Sequence, residues 1–129
     1  MANILLIEDS VDYADILVFY LRSAGFTVTA ARDGREGLDK ARVAGVDLII
    51  TDLMLPGLNG YEICSLLKQD ARFKRIPIVI LTASKLHSKD RELALECGAD
   101  AFCAKSTEPK QLVETINGLL KSSADAPSA

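Results

Sequence analysis

The sequence predicts a three-layer α/β domain, a doubly wound parallel sheet of five strands alternating with five helices. Three observations carry that prediction. Short runs such as Ile4-Leu5-Leu6-Ile7, Leu48-Ile49-Ile50 and Ile78-Val79-Ile80-Leu81 are apolar throughout, as strands covered on both faces are. Segments of helical periodicity lie between them, closed by Gly25, Gly45 and Gly98. At 129 residues and 49% hydrophobic, the chain is long enough for one domain with a real core, and it shows no internal repeat.

Each element follows in order. Asn3 to Ile7 is a buried strand. Ser10 caps a helix that continues to about Ser23, with Gly25 as its stop. Phe26 to Ala30 alternates apolar and polar residues, which suits a sheet edge. Asp33 with Glu36 resembles a capping box and opens a helix to about Ala44. The third strand ends at Thr51-Asp52, and its loop holds the turn formers Pro56, Gly57, Asn59 and Gly60. A helix from about Tyr61 to Asp70 should turn Ile63, Leu66 and Leu67 inward. After the fourth strand, a polar stretch containing His87 leads to a helix of roughly Ser88 to Cys97. Ala101 to Ala104 is a short fifth strand. Pro109 opens a last helix to about Lys121, with Leu112, Val113, Ile116, Leu119 and Leu120 as its apolar stripe. Residues 122–129, SSADAPSA, hold no large apolar side chain and are expected to be a disordered tail or linker stub.

Composition narrows the function. Net charge is −3 with acids and bases spread along the chain, which argues against a nucleic-acid surface. No apolar run approaches membrane-spanning length, and Ile4–Ile7 is too short for a signal peptide. Cys64, Cys97 and Cys103 are odd in number and lack metal-ligand spacing, so they read as reduced thiols of a cytoplasmic protein.

Chemistry emerges when the strand ends are taken together. The first strand ends in Glu8-Asp9, the third in Asp52, the fourth in Thr82 and the fifth in Lys105. In a parallel sheet those ends share one edge, where ligand sites of such folds lie. Two carboxylates about 5 Å apart repel by roughly 3 kcal/mol at an effective dielectric near 20. Three together call for a cation or shifted protonation, and hard oxygen ligands suit Mg²⁺, which also takes substrate phosphate oxygens. Lys105 adds a fixed positive charge and Thr82 a hydrogen-bond donor, an arrangement suited to a transferring phosphoryl group. Singly, each has an ordinary role: Asp52 capping its loop, Glu8 or Asp9 capping a helix, Thr82 capping a segment, Lys105 solvated. That all fall at strand ends by chance is far harder to accept.

With these residues in view, the sequence resembles the receiver domain of two-component response regulators, chemotaxis-regulator-like in kind. The resemblance covers about Asn3 to Lys121 and rests on Ile7-Glu8-Asp9, Asp52 with Leu55-Pro56-Gly57 and Asn59-Gly60, Leu81-Thr82-Ala83, and Gly98-Ala99-Asp100 leading to Lys105. It implies a receiver domain over residues 1–121 and a flavodoxin-like strand order 2-1-3-4-5. It implies Asp52 as phosphoacceptor, served by a phosphohistidine on a histidine kinase or phosphotransfer protein. It implies Mg²⁺ among Glu8, Asp9, Asp52 and the backbone carbonyl of Met54. Thr82 and Lys105 would bind phosphoryl oxygens, and Phe102 would repack into space vacated by Thr82 as a switch. The output would be protein–protein contact with a downstream target, with no membrane or direct nucleic-acid partner.

Two other classes stay open at this point. An aspartyl-phosphate hydrolase would usually place a second Asp two residues after its nucleophile, where this chain has Met54. A receiver-like interaction domain would work without phosphorylation. On the first helix, Phe19 falls among Asp12, Asp15 and Arg22; this is either ordinary scatter or a docking surface for a four-helix phosphotransfer partner. His87 is expected to be a solvated loop residue. Where the family usually has a cis proline after the lysine, this chain has Ser106. A cis bond there would cost roughly 2.5–4 kcal/mol, so Lys105–Ser106 is expected to be trans, with the flexible lysine still reaching Asp52 and the Ser106–Glu108 turn rearranged.

Overall fold

A computed structural model describes residues 2–43, 45–82, 92 and 96–125. Five parallel strands form one sheet in the order β2-β1-β3-β4-β5: β1 (Asn3–Ile7), β2 (Thr27–Ala31), β3 (Leu48–Asp52), β4 (Ile78–Thr82) and β5 (Ala101–Ala104). Between them run α1 (Val11–Ser23), α2 (Gly34–Val43) and α3 (Gly60–Lys68), and the C-terminal helix spans Pro109–Asp125. The expected flavodoxin-like order is the observed one. The helix expected over Ser88–Cys97 lies largely outside the described residues, as does His87.

The sheet separates two apolar layers, because successive side chains of a strand point to opposite faces. Ile4, Leu6, Leu48, Ile50, Val79 and Leu81 pack on one face with Leu17 and Leu21 of α1 and Leu112 and Ile116 of the C-terminal helix. Leu5, Ile7, Ile49, Ile78 and Ile80 pack on the other with α2 and α3. The three central strands are buried on both faces, which is why their sequences are unbroken aliphatic runs.

Local chemistry sets the element ends. Ser10 accepts a hydrogen bond from the Tyr13 N–H (3.4 Å) and starts α1 as expected. Gly25, with φ of +97°, turns the chain out of α1 at little steric cost. The N–H of Phe26 then donates to the Leu21 carbonyl, and β2 begins one residue later than expected. Asp33 accepts from the Glu36 N–H (2.8 Å), but Glu36 reaches the Arg32 N–H (2.6 Å), so the expected capping box is displaced by one residue.

Two expectations are corrected. Leu66 does not face inward: it is 49% exposed, and Cys64 takes its place beside Ile63 and Leu67. At about 100° per residue, positions 60, 63, 64 and 67 share a face and position 66 falls off it. The C-terminal helix runs to Asp125, four residues past the Lys121 end and into the stretch expected to be tail. Ser122–Asp125 contains no Gly or Pro, so helical hydrogen bonding propagates without an apolar stripe. No helix among the described residues is long and apolar enough to cross a membrane.

Candidate functional site

Strand parity assembles the site. Glu8 continues the set Ile4, Leu6 of β1, and Asp52 continues Leu48, Ile50 of β3. Lys105 continues Ala101, Cys103 of β5, so all three side chains belong to the sheet face covered by α1. The ladder holds them there past the strand ends: the Glu8 N–H donates to Ala31 O (2.9 Å) and the Lys105 N–H to Thr82 O (2.8 Å). Thr82 has the other parity, with Ile78 and Ile80, and is nearly buried. Phe102 pairs with Ile80 and sits half-buried on that same α2–α3 face.

Charges meet at short range. The Lys105 ammonium lies 3.0 Å from Asp52 Oδ2 and donates a short hydrogen bond to Glu8 Oε1. Glu8 is 3% exposed and Asp52 6%, whereas Asp9 is exposed to solvent. One carboxylate oxygen from each of Glu8, Asp9 and Asp52 lies within 4.8 Å of the others. Burial pushes the Glu8 carboxyl up to about 7, and the neighbouring Asp52 carboxylate adds to that rise, against the lowering by Lys105. Burial acts to lower the Lys105 ammonium, but its bonds to Glu8 and Asp52 prevail and raise it. Glu8 Oε2 is buried with no hydrogen-bond partner among the described residues.

That donor set fits a hard divalent cation. Three carboxylates converge, one of them buried with an unpartnered oxygen, and its raised pKa marks a charge that a cation would stabilise. Hard oxygen donors in such numbers suit Mg²⁺. The Met54 N–H donates to Asp52 Oδ1 (3.3 Å), while the Met54 side chain is 74% exposed. Gly60 keeps the following loop folded against the strand end. Its N–H donates to Leu53 O (2.9 Å), and a Cβ at this position would lie 2.7 Å from Asp52 O. Asn59 and Glu62 then close a full capping box at the start of α3, a pairing that the turn-like composition of the loop concealed.

The sequence-derived residues Glu8, Asp9, Asp52, Thr82 and Lys105 are therefore gathered at one sheet edge, with Phe102 two residues before Ala104, the β5 partner of Thr82. All described peptide bonds are trans, including Lys105–Ser106, and the lysine does reach Asp52. One residue escaped the sequence reading. Tyr13, in the first turn of α1, places its ring 4.6 Å from the Lys105 ammonium. The available signal was an aromatic one turn after Asp9, on the helix that covers this face. Cys64 is buried and Cys97 and Cys103 partly so, and none of the three is in a disulfide among the described residues. Burial raises the pKa of the Cys64 thiol, as expected of a core cysteine.

Comparison with known proteins agrees with this geometry. A family model described as the response regulator receiver domain matches residues 4–117. The chain is 38% identical to the DNA-binding response regulator MtrA of Mycobacterium tuberculosis over 98% of its own length and 54% of that protein's. It is 34% identical to the sensory transduction protein RegX3 of Mycolicibacterium smegmatis, covering 55% of it. The chain thus spans about half the length of these relatives. Among solved structures, the signal receiver domain of a histidine kinase from Syntrophus aciditrophicus superposes with a TM-score of 0.90 at 32% identity, covering 100% of this chain and 97% of that one. A receiver domain of a Pseudomonas aeruginosa sensor histidine kinase, with a magnesium ion coordinated in its active site cleft, gives 0.86 at 31% identity, over 94% and 98% of the two chains.

Proposed function

Because this chain belongs to the response regulator receiver domains of two-component systems, we propose that Asp52 is its phosphoacceptor and that a phosphohistidine on a histidine kinase or phosphotransfer protein is the donor. The observation that carries this reading is the meeting of a buried Asp52 with the Lys105 ammonium at 3.0 Å and two further carboxylates. An Asp52 oxygen attacks phosphorus in line; the phosphorus–nitrogen bond of the donor breaks and its electron pair returns to the imidazole. Little covalent work falls to the protein, so positioning and charge carry the catalysis. Lys105 and Thr82 take phosphoryl oxygens. Glu8, Asp9, Asp52 and the Met54 carbonyl would hold Mg²⁺, which would supply neutralising charge to the transferring phosphoryl group. Hydrolysis back to Asp52 would use the same groups.

The chain is not an enzyme in the ordinary sense. A hydrolase acting on outside phosphate esters would want an acid two residues past Asp52, and there the exposed Met54 stands. Phosphorylation adds about −1.5 to −2 charges at this edge. Thr82 drawn toward the phosphoryl group would open space on the face that Phe102 shares, and repacking of β5 would carry the signal to a protein target. We assign no nucleic-acid contact to the 129 residues of this chain, whose net charge is −3.

The test is direct. Incubation with acetyl phosphate and Mg²⁺ should add one phosphoryl mass, mapped by peptide analysis to Asp52, and no mass should be gained when Mg²⁺ is chelated beforehand. No mass gain would favour a receiver-like interaction domain that works unphosphorylated; label on another residue would move the acceptor.

A further inference from the structure

The Lys105 ammonium has three described neighbours: Glu8, Asp52 and the ring of Tyr13. They differ in what happens to them at the moment of phosphoryl transfer. Both carboxylates belong to the cluster that fits a divalent cation, so a bound cation competes with the ammonium for their charge. Asp52 must in addition turn an oxygen toward phosphorus. The ring carries no net charge and is no ligand for a hard cation. It is the one described contact of this ammonium that metal binding and phosphoryl transfer leave unchanged.

Its placement is built in. Ser10 caps α1 through the Tyr13 N–H, so the ring is fixed to the same strand–helix junction that carries Glu8 and Asp9. Tyr13 packs into the apolar layer with Leu17 and Cys103, on the face that strand parity gives to Lys105. The Lys105 side chain is only 19% exposed, so the contact is partly desolvated, where a cation over a ring gains most. On the far side of the lysine, Ser106 is exposed and imposes no ring of its own.

We propose that Tyr13 is a positioning residue for phosphoryl transfer: its ring holds the Lys105 ammonium over Asp52 once a divalent cation has drawn Glu8 and Asp52 away. This rests on the reading of Asp52 as phosphoacceptor and adds a role that the acidic cluster and the lysine do not themselves contain. The hydroxyl is not part of the argument, so phenylalanine should serve and an aliphatic side chain should not.

The experiment compares the full chain with Tyr13→Phe and Tyr13→Leu in two measurements. In the first, the Lys105 ε-methylene resonances are followed by NMR without and with Mg²⁺. Ring current should hold them upfield of other lysines in the wild type and Tyr13→Phe under both conditions, and the shift should vanish in Tyr13→Leu. In the second, Asp52 is labelled with acetyl phosphate at saturating Mg²⁺. Tyr13→Phe should stay within about twofold of wild type, and Tyr13→Leu should be roughly tenfold slower with its Mg²⁺ affinity unchanged, the size expected of a partly desolvated cation–π contact. An unshifted Lys105 resonance in Mg²⁺-loaded wild type, a Tyr13→Leu labelled at the wild-type rate, or a Tyr13→Phe as slow as Tyr13→Leu would each overturn the proposal. Should Tyr13→Leu not fold, Tyr13→Met replaces it, and the wild-type resonances decide independently. Failure of the wild type to take up phosphate would instead sink the reading of Asp52, with the resonances still reporting on Tyr13 alone.

Discussion

β1 and β3 are buried along almost their whole length, while every residue of β5 is half-exposed. The acidic half of the site comes from β1 and β3 and the cationic half from β5. Glu8 and Asp52 extend strands packed on both faces, so their carboxylates are held by the most deeply buried part of the sheet. Lys105 and Phe102 come from an edge strand paired on one side only, with β4. On the proposed reading the difference divides labour: the anionic groups are fixed for a cation and a nucleophile, and the groups that would follow an arriving charge sit on a less deeply buried edge strand. If that division holds, substitutions on the two sides should fail in different ways.

The largest effect belongs to the fixed side. Asp52→Asn keeps the shape of the side chain and removes the nucleophile, so acetyl phosphate labelling should be abolished while the circular dichroism and melting temperature stay near wild type. Labelling at the wild-type rate would place the acceptor elsewhere and remove the chemistry from β3.

Next comes the cation. Asp9→Ala removes one of three clustered carboxylates and should weaken Mg²⁺ by at least about tenfold in a titration, since few anionic ligands remain. The same titration should depend on pH through Glu8, whose carboxyl is raised from 4.5 to about 7 chiefly by burial. Mg²⁺ requires the ionised form, so affinity should be full above pH 7 and fall by up to roughly tenfold per unit below it. The metal-free protein should show the opposite sign. A carboxyl with a raised folded-state pKa favours folding at low pH, and that contribution is lost as pH rises from 4.5 through 7. The melting temperature of wild type relative to Glu8→Gln should therefore decline across that window. A flat difference would mean that Lys105 fully compensates the buried charge.

A smaller contrast probes packing. Leu6 is completely buried in β1, so Leu6→Ala should cost about 2–5 kcal/mol in urea unfolding. Phe102→Leu in half-buried β5 should cost less than about 1.5 kcal/mol. Equal losses would show β5 to be anchored as firmly as the centre of the sheet, and the division of labour would have to be given up.

The legibility of this molecule in its sequence follows the same line. Glu8, Asp52, Thr82 and Lys105 could be placed together because aliphatic runs mark strands and parallel strands share an edge. Period-two parity even fixes which face each takes. Part of what could not be seen depends on packing between elements far apart in sequence. Tyr13 and Lys105 are neighbours only because α1 covers the sheet face to which strand parity assigns Lys105. Leu66 looked like a core residue because hydrophobicity alone does not locate the centre of an apolar stripe, and Cys64 is the smaller residue that lies on it. The Asn59–Glu62 box was hidden among turn formers, since Asn serves both purposes. At the C-terminus, absence of apolar side chains marked the loss of packing but not the end of the helix.

That last distinction makes the smallest prediction. The C-terminal helix is fastened by Leu112 and Ile116, which are 3% and 0% exposed, with Leu119 and Leu120 partly buried behind them. Lys121 and Ser122 are exposed, and beyond them the helix continues to Asp125 on backbone hydrogen bonds. Such a turn adds little free energy in water, because helical stability in proteins comes mainly from the packed face. We propose that the folded domain ends energetically at Lys121, whatever the backbone does after it. Deleting residues 122–129 should then lower the melting temperature by no more than about 2 °C, against the roughly 2–8 °C that one kcal/mol shifts a domain of this size. A larger drop would mean that the last helical turn packs on the domain, and the C-terminal helix would join the fixed side of the molecule.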